Sequence, residues 1–499
     1  MLAGTGSDVG KSIIATALCR IFLQDGYHPA PFKAQNMALN SYATPDGLEI
    51  GRAQAVQAEA AGVDCHTDMN PLLLKPQSDH SSQVVLHGKP IGSRDAYDFW
   101  QRTNPKQPKG IDFRREVCQA YDRLAEQFNP IVMEGAGSIT ELNLRATDIV
   151  NMPMAAHARA SVVLVGDIDR GGIFASVYGS IALQSEEDRK RIKGIIVNKF
   201  RGDMKLFDKG RKMLEDLCQV PVLGVVPFMG DLHIDEEDSV ALHHKAMDSR
   251  RSEGKVSVAV VMLRHLSNFT DFNALELDAR VHLYYTANAD DLDKADIVVL
   301  PGTKSTLSDL YELRRSQMAQ AIVAAHRRGA TVLGICGGYQ MMGTMVEDPH
   351  HVEGEMERLP GLGLLPVQTT LAGEKVTRQS AFTLTMAPEA GTLQGYEIHM
   401  GQTVAQDEER PLAILADGRR DGYHLGPRCM GTYLHGILDN KPFVDYLLQP
   451  YLPTTRNKQA TNPSNDYATF REREYDRLAA HVRKHIDMER LYAILKEED

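Results

Sequence analysis

A glycine-rich loop near the start of the chain constrains the fold more than any other segment. It reads Gly4-Thr5-Gly6-Ser7-Asp8-Val9-Gly10-Lys11-Ser12 and leads into an apolar stretch of helical length. Glycines let the backbone curl so that several N–H groups point at phosphate oxygens, while the lysine supplies a cation and the serine a Mg²⁺ ligand. We therefore predict a phosphate-binding loop whose first glycine stands one residue earlier than in the common form. Its binding residues are Gly4, Thr5, Gly6, Gly10, Lys11 and Ser12.

Strand-like runs alternate with helix-length segments along most of the chain. Short β-branched runs stand at 131–133, 162–165, 195–197 and 222–226. Such alternation is typical of α/β folds with parallel, doubly wound sheets. A charged stretch without an apolar strand, Asp231–Gly254, separates two such regions. We predict an N-terminal domain over residues 1–249, a second α/β domain over 250–448, and a helical extension over 449–499 that docks onto the core.

The composition excludes several classes of protein. The chain has 499 residues, 43% of them hydrophobic and 24% charged, with six scattered cysteines and a net charge of −11. An acidic chain is unsuited to sequence-independent binding of nucleic acid. No apolar run approaches the length of a membrane span. We expect a cytoplasmic protein that binds neither nucleic acid nor membranes and holds no metal cluster of its own. The sequence leaves the oligomeric state open.

A nucleotide site also needs carboxylates for Mg²⁺ and further cations for the phosphates. Glu134 directly follows the predicted strand 131–133, and the carboxyl ends of parallel strands are where ligands bind in such sheets. Asp46 lies in the loop that follows Lys33. We take Ser12, Glu134 and Asp46 as candidate Mg²⁺ ligands, and Lys33 as a second phosphate-facing cation beside Lys11.

A second group of candidate catalytic residues surrounds Cys336. Residues 331–340 read as strand, sharp turn and helix, with glycines two residues on either side of the cysteine. This is the sulfur counterpart of a nucleophile elbow, in which the side chain projects at a helix start. The N–H of Gly337, with that of Gly302 in the loop Pro301-Gly302-Thr303-Lys304, would stabilise an oxyanion. A cysteine nucleophile needs a base, and His399 and His435 both stand in glycine-flanked segments that suit this role.

These segments together resemble the cobyric acid synthase family of glutamine-dependent amidotransferases. The resemblance covers nearly the whole chain. In the first half it rests on residues 4–12, 32–41, 51–54, 70–76, 134–138, 148–152, 167–172 and 198–203, and in the second on 267–272, 301–306, the Cys336 elbow, 395–401 and 431–436. The N-terminal half is similar to the dethiobiotin synthetase type of P-loop domain. The C-terminal half is similar to the flavodoxin-like class I glutaminases of the cobalamin subgroup.

The resemblance implies an activity. Four carboxylates (b, d, e and g) of adenosylcobyrinic acid a,c-diamide would become carboxamides, each through an acyl phosphate made with ATP and Mg²⁺. Ammonia would come from glutamine through a Cys336 thioester, with His435 as the base. The partners are therefore small molecules: glutamine, ATP and a corrinoid polycarboxylate. Arg52, Lys75 and Asp148 are candidate substrate-binding residues.

One position departs from the wider glutaminase class. Most members place a glutamate two residues after the catalytic histidine, whereas Ile437 stands there in this chain, as the cobalamin subgroup implies. The sequence therefore does not identify the side chain that orients His435, and Glu397 is a candidate.

Three rival interpretations remain. A cobyrinic acid a,c-diamide synthase would have the same two domains and chemistry but act on other carboxylates; the long motifs 32–41 and 70–76 favour cobyric acid synthase. A CTP synthase would carry the glutamate that Ile437 replaces. A MinD-like ATPase switch would leave the glutaminase half unexplained.

Overall fold

The computed structural model describes residues 1–77, 81–95, 111–235, 249, 252–408, 410–452 and 467–496. Most of the predicted boundary stretch Asp231–Gly254 and the polar loop 454–465 lie outside the described residues.

The N-terminal region contains twelve strands among the described residues. They are β1 (Leu2–Gly4), β2 (Ala30–Phe32), β3 (Gln35–Met37), β4 (Ser41–Ala43), β5 (Glu49–Gly51), β6 (Leu72–Pro76), β7 (Ser81–Leu86), β8 (Lys89–Asp95), β9 (Ile131–Met133), β10 (Val162–Asp167), β11 (Ile192–Phe200) and β12 (Val222–Pro227). The helices are α1 (Lys11–Gln24), α2 (Arg52–Ala60), α3 (Phe113–Ala125), α4 (Met152–His157), α5 (Ile173–Ala182), α6 (Glu186–Arg191) and α7 (Asp208–Cys218).

A parallel sheet forms the centre of this region. Strands β1, β10, β11 and β12 pair in that order, all parallel. The parallel pair β2–β9 extends the sheet beyond β1 through a bridge between Leu2 and Glu134. Every residue of β10 is buried, as expected for a strand covered by helices on both faces. The predicted parallel α/β fold is confirmed here.

A smaller unit joins the two halves of the chain. Strands β3, β6, β7 and β8 form a second sheet, and β4 and β5 form a separate antiparallel hairpin. The hairpin contacts the C-terminal half, where the Gln379 side chain donates to Ala43 O at 3.1 Å.

The second region has thirteen strands among the described residues. They are β13 (Val256–Val261), β14 (Val281–Thr286), β15 (Ile297–Leu300), β16 (Thr331–Ile335), β17 (Met345–Glu347), β18 (Arg358–Pro360), β19 (Val367–Leu384), β20 (Leu393–Ala405), β21 (Ala413–Leu415), β22 (Arg420–Asp421), β23 (Tyr423–His424), β24 (Cys429–Thr432) and β25 (Leu434–His435). The helices are α8 (Asn273–Leu277), α9 (Thr306–Arg315), α10 (Met318–Arg327), α11 (Gly337–Met342) and α12 (Lys441–Leu448).

Two sheets build this region. The first has the order β14-β13-β15-β16-β24-β23, with all pairs parallel except the last. The second is mainly antiparallel and has the order β18-β17-β19-β20-β25. It brings β20 beside the short strand β25, which ends at His435. The parallel sheet agrees with the predicted doubly wound domain, whereas the long antiparallel strands β19 and β20 were not predicted.

The C-terminal helices pack on the N-terminal domain. They are α13 (Tyr467–His485) and α14 (Met488–Lys496), and their buried apolar residues join the core cluster that contains α1. Gly224 in β12 forms a bridge with Ile486, between the two helices. The chain thus returns to its first domain after completing the second. Among the described helices, none combines the length and apolar character that crossing a bilayer requires.

Candidate active site

The glycine-rich loop turns between β1 and α1. Gly10 has a φ of +93°, and a β-carbon there would lie only 2.2 Å from the Asn198 side-chain nitrogen, so both backbone and space require glycine. The Lys11 ammonium donates to Gly6 O and to Gly137 O, each at 2.9 Å. Lys11 therefore lies across the loop and links it to the segment that follows β9.

Glu134 lies buried at the end of β9, beside Ser12. Its carboxylate accepts from Ser12 Oγ (2.8 Å), Lys33 Nζ (2.9 Å) and Gln57 Nε2 (2.7 Å). Burial alone would raise the pKa of Glu134, but the charge of Lys33 and these hydrogen bonds lower it overall. An ionised carboxylate and a hydroxyl therefore meet at the loop, and these are oxygens that suit Mg²⁺. Sequence reasoning missed Gln57, which carries no motif of its own.

Two acidic candidates lie elsewhere. Asp46 is exposed in the turn of the β4–β5 hairpin, where the neighbouring Gly47 packs on Thr377 of β19. Its role as a Mg²⁺ ligand stays a prediction. The Asp148 carboxylate accepts from the backbone N–H groups of Val150 (2.7 Å) and Asn151 (3.0 Å), just before α4. These hydrogen bonds give Asp148 a turn-forming role, and its role in substrate binding stays a prediction.

The two cationic residues predicted to bind substrate each form an ion pair with a buried carboxylate. Arg52 forms an ion pair with Asp235 and stacks over the Tyr42 ring at 4.7 Å. Lys75 forms an ion pair with Glu49 at 2.7 Å. All four charged groups are buried, so each ion pair is held away from bulk water. Substrate binding by Arg52 and Lys75 stays a prediction.

Cys336 occupies the predicted elbow. It lies between β16 and α11 with a φ of +52°, a left-handed conformation that is uncommon outside glycine. A β-carbon on Gly338 would lie 2.0 Å from Leu300 O, so the turn packs directly on β15. The backbone N–H of Cys336 donates to Thr432 O at 2.8 Å. The surrounding backbone therefore holds the thiol in place.

The oxyanion candidates lie on either side of the thiol. A β-carbon on Gly337 would lie 2.6 Å from Thr303 Cγ2, so the elbow packs against the loop 301–304. A β-carbon on Gly302 would lie 3.3 Å from His435 Cε1. Gly302, Gly337 and the cysteine–histidine pair therefore share one small volume.

His435 is buried between a nucleophile and a carboxylate. Its Nδ1 lies 2.7 Å from Asp271 Oδ2, and Cys336 lies near enough to the ring to raise its pKa. Burial would lower the pKa of His435, but the Asp271 charge and hydrogen bond, together with Cys336, raise it to about 10. The other Asp271 oxygen accepts from Gly436 N at 3.0 Å. Cys336, His435 and Asp271 are therefore grouped in the order of a Cys–His–Asp triad.

Glu397 does not orient His435, so that prediction is wrong. The carboxylate of Glu397 accepts from Ser380 Oγ at 2.8 Å and from Arg419 at 2.9 Å. Tyr396, the preceding residue, faces His435 instead, with its ring stacked at 5.2 Å. Sequence reasoning missed Asp271, although the motif 267–272 that contains it had been noted.

Comparisons with known proteins match both halves of the chain. Residues 1–240 match the family model described as the CobQ/CobB/MinD/ParA nucleotide binding domain, and residues 257–443 match the CobB/CobQ-like glutamine amidotransferase domain. A cobyric acid synthase of Bacteroides fragilis (strain ATCC 25285) is 66% identical over 501 residues, covering 100% of this chain and 98% of that protein. One of Geobacillus kaustophilus (strain HTA426) is 45% identical, covering 100% and 97%. From these alignments, the chain belongs to the cobyric acid synthase family of glutamine amidotransferases.

Proposed function

We propose that this enzyme amidates the b, d, e and g carboxylates of adenosylcobyrinic acid a,c-diamide and so forms adenosylcobyric acid. Each amidation consumes one ATP and one glutamine. The observation that carries the proposal is the buried Cys336–His435–Asp271 arrangement, which lies in the same chain as a complete phosphate loop. The name of the relatives supports the choice of a corrinoid as the substrate.

The glutaminase half begins at Cys336. Its thiolate attacks the side-chain carboxamide of glutamine, and the N–H groups of Gly302 and Gly337 stabilise the oxyanion that forms. His435 gives its proton to the departing ammonia, which leaves a thioester. The neutral imidazole then takes a proton from water, which attacks the thioester and releases glutamate. Asp271 stabilises the imidazolium and fixes which ring nitrogen faces the sulfur.

The synthetase half activates a carboxylate, because a free carboxylate is a poor acyl acceptor for ammonia. A carboxylate oxygen attacks the γ-phosphate of ATP, which yields an acyl phosphate and ADP. Ammonia then displaces phosphate to give the amide. Lys11 and Lys33 offset the phosphate charge. Ser12 and Glu134 carry oxygens that would hold Mg²⁺, which would supply neutralisation of the phosphate charge.

Transfer of ammonia between the two halves requires protection from water. Ammonia is mostly protonated near neutral pH and is then no nucleophile. We therefore include a shielded path from Cys336 to the phosphate loop in the proposal.

The first test is a reaction with ATP, Mg²⁺, glutamine and adenosylcobyrinic acid a,c-diamide, followed by mass spectrometry. Stepwise growth to four new amides is expected. Cys336→Ser should lose glutamine-driven amidation and keep ammonia-driven amidation. Unchanged corrinoid beside intact glutamine hydrolysis would refute the substrate, and loss of both amidations in Cys336→Ser would refute the nucleophile.

A further inference from the structure

The turn that carries Asp271 is held by the N-terminal domain. Phe269 N donates to Asn40 Oδ1 at 3.2 Å, and Ser41 N donates to Asn268 Oδ1 at 3.4 Å. The Asn268 amide donates back to Ser41 O at 3.3 Å. Asn40, Ser41 and Asn268 are all buried. Three hydrogen bonds therefore cross the domain boundary within three residues of Asp271, shielded from competition by water.

The geometry of the turn links these contacts to Asp271. Asn268 has a φ of +53°, and its backbone oxygen accepts from Asp271 N at 3.0 Å. Asparagine tolerates this left-handed conformation better than most residues. A rotation of Asn268 would therefore move the start of the short 3-10 turn Phe269–Phe272 and the carboxylate it carries.

Tyr396 forms a second link between the domains and His435. Its ring packs edge-on against Tyr42, with ring centres 4.7 Å apart, and its opposite neighbour is the stacked imidazole of His435. The Tyr396 hydroxyl accepts from the same Asn268 amide at 3.1 Å. Segment 40–42 is thus linked to His435 by two routes. One runs through the turn that carries Asp271, and the other through the stacked ring of Tyr396.

The contacting segment is itself firmly placed. Ser41 Oγ donates to Glu49 Oε1 at 2.7 Å and accepts from Lys75 Nζ at 2.9 Å. Glu49 also pairs with Lys375 of the C-terminal half. Earlier in the same stretch of chain, Lys33 binds Glu134 beside the phosphate loop. One short stretch of chain therefore runs from the phosphate site to the glutaminase site.

We propose that Asn40 and Ser41, acting through Asn268, are positioning residues for glutamine hydrolysis. They hold Asp271, and through it His435, in the orientation that the reaction needs. This inference rests on the roles proposed above for Cys336 and His435. It gives a role to the contacts between the motifs 32–41 and 267–272 at the domain boundary.

The test uses three variants of the full chain. Asn40→Ala removes the oxygen that accepts from Phe269, and Asn268→Gly removes the bridging amide but keeps a residue that tolerates the positive φ. In both, kcat for glutamine hydrolysis should fall by about 10- to 100-fold, because small displacements of catalytic groups have effects of this size. KM for glutamine and ammonia-driven amidation should stay within about twofold of the parent. Asn40→Asp keeps an accepting oxygen and should restore most of the activity.

The pH profile separates positioning from a general structural role. As Asp271 loses its alignment, it raises the pKa of His435 less, so the alkaline limb of kcat/KM should move to lower pH in both variants. Gln379→Ala is the matched control. It removes a contact across the same boundary, to Ala43 O, but none to the turn, and it should change neither kcat nor the profile.

Three outcomes would overturn the inference: unchanged hydrolysis in Asn40→Ala and Asn268→Gly, an equal loss in Gln379→Ala, or a parallel loss of ammonia-driven amidation. A failure of the proposed function would look different. In that case Cys336→Ser would still hydrolyse glutamine, whatever the three variants did.

Discussion

Replacing Asp271 by asparagine removes the charge that faces His435 while keeping the shape of the side chain. The asparagine oxygen can still accept from Gly436 N, but its amide would then donate to His435 Nδ1, which favours the wrong tautomer for proton transfer at Cys336. A hydrogen bond to a charged group is worth about 1.5 to 3 kcal/mol. Its loss in the transition state corresponds to a rate of glutamine hydrolysis lower by about 10- to 150-fold.

The assay is release of glutamate in the absence of corrinoid, with ammonia-driven amidation as the control for an intact synthetase half. Glu397→Gln is the matched variant, since it neutralises another buried carboxylate of β20 that binds Ser380 and Arg419. Its rate should stay within about twofold of the parent. Equal losses in the two variants, or a loss smaller than about threefold in Asp271→Asn, would refute the reasoning.

The contact between Asp271 and His435 also leads to a prediction about stability. Folding raises the pKa of His435 from 6.5 to about 10, so its charged form stabilises the fold fully below pH 6.5, and this contribution is lost as the pH rises through about 10. The difference in free energy of unfolding between the parent and Asp271→Asn should therefore narrow at alkaline pH. A difference that does not change with pH would contradict the pairing.

Three further predictions concern other parts of the molecule. Lys11→Ala removes the cation that bonds the loop oxygens, so glutamine- and ammonia-driven amidation should fall together by more than about tenfold, while glutamine hydrolysis alone persists. Folding lowers the pKa of Glu397 from 4.5 to about 2, despite the opposing effect of burial, chiefly through hydrogen bonds to His399 and Arg419. The stability that Glu397→Gln loses at neutral pH should therefore vanish as the pH falls from 4.5 to about 2, measured by denaturant unfolding. Leu478→Ala empties a buried position under α13 and should reduce the free energy of unfolding by about 2 to 5 kcal/mol, whereas the exposed Met213→Ala should change it by less than about 0.5 kcal/mol.

Contiguous motifs explain what could be predicted before the structure was known. The phosphate loop and the Cys336 elbow are each built from fewer than about a dozen successive residues. Their glycines mark positions where the local backbone requires glycine. The parallel sheet followed from apolar strands of the right length between helices. In these cases the interaction partners are near neighbours along the chain, so spacing carries the information.

The partners of charged residues could not be predicted, for the opposite reason. Arg52, Lys75 and Asp46 have side chains suited to ligands, but residue type does not reveal which partner a fold supplies. Arg52 and Lys75 meet buried carboxylates at the domain boundary, and Asp46 points from an exposed turn. Such pairings depend on how separate elements are brought together, and no periodicity records them.

The sequence by itself determined the two chemistries: a backbone cradle for phosphate, and a cysteine held on a strained turn, both encoded by adjacent residues. Only the tertiary structure decided what completes them. Asp271 reaches His435 from 164 residues away, and Asn40 of the other domain reaches the turn that carries Asp271. The physical reason is that a buried hydrogen bond depends on distance in space, and chain folding sets that distance independently of separation along the sequence.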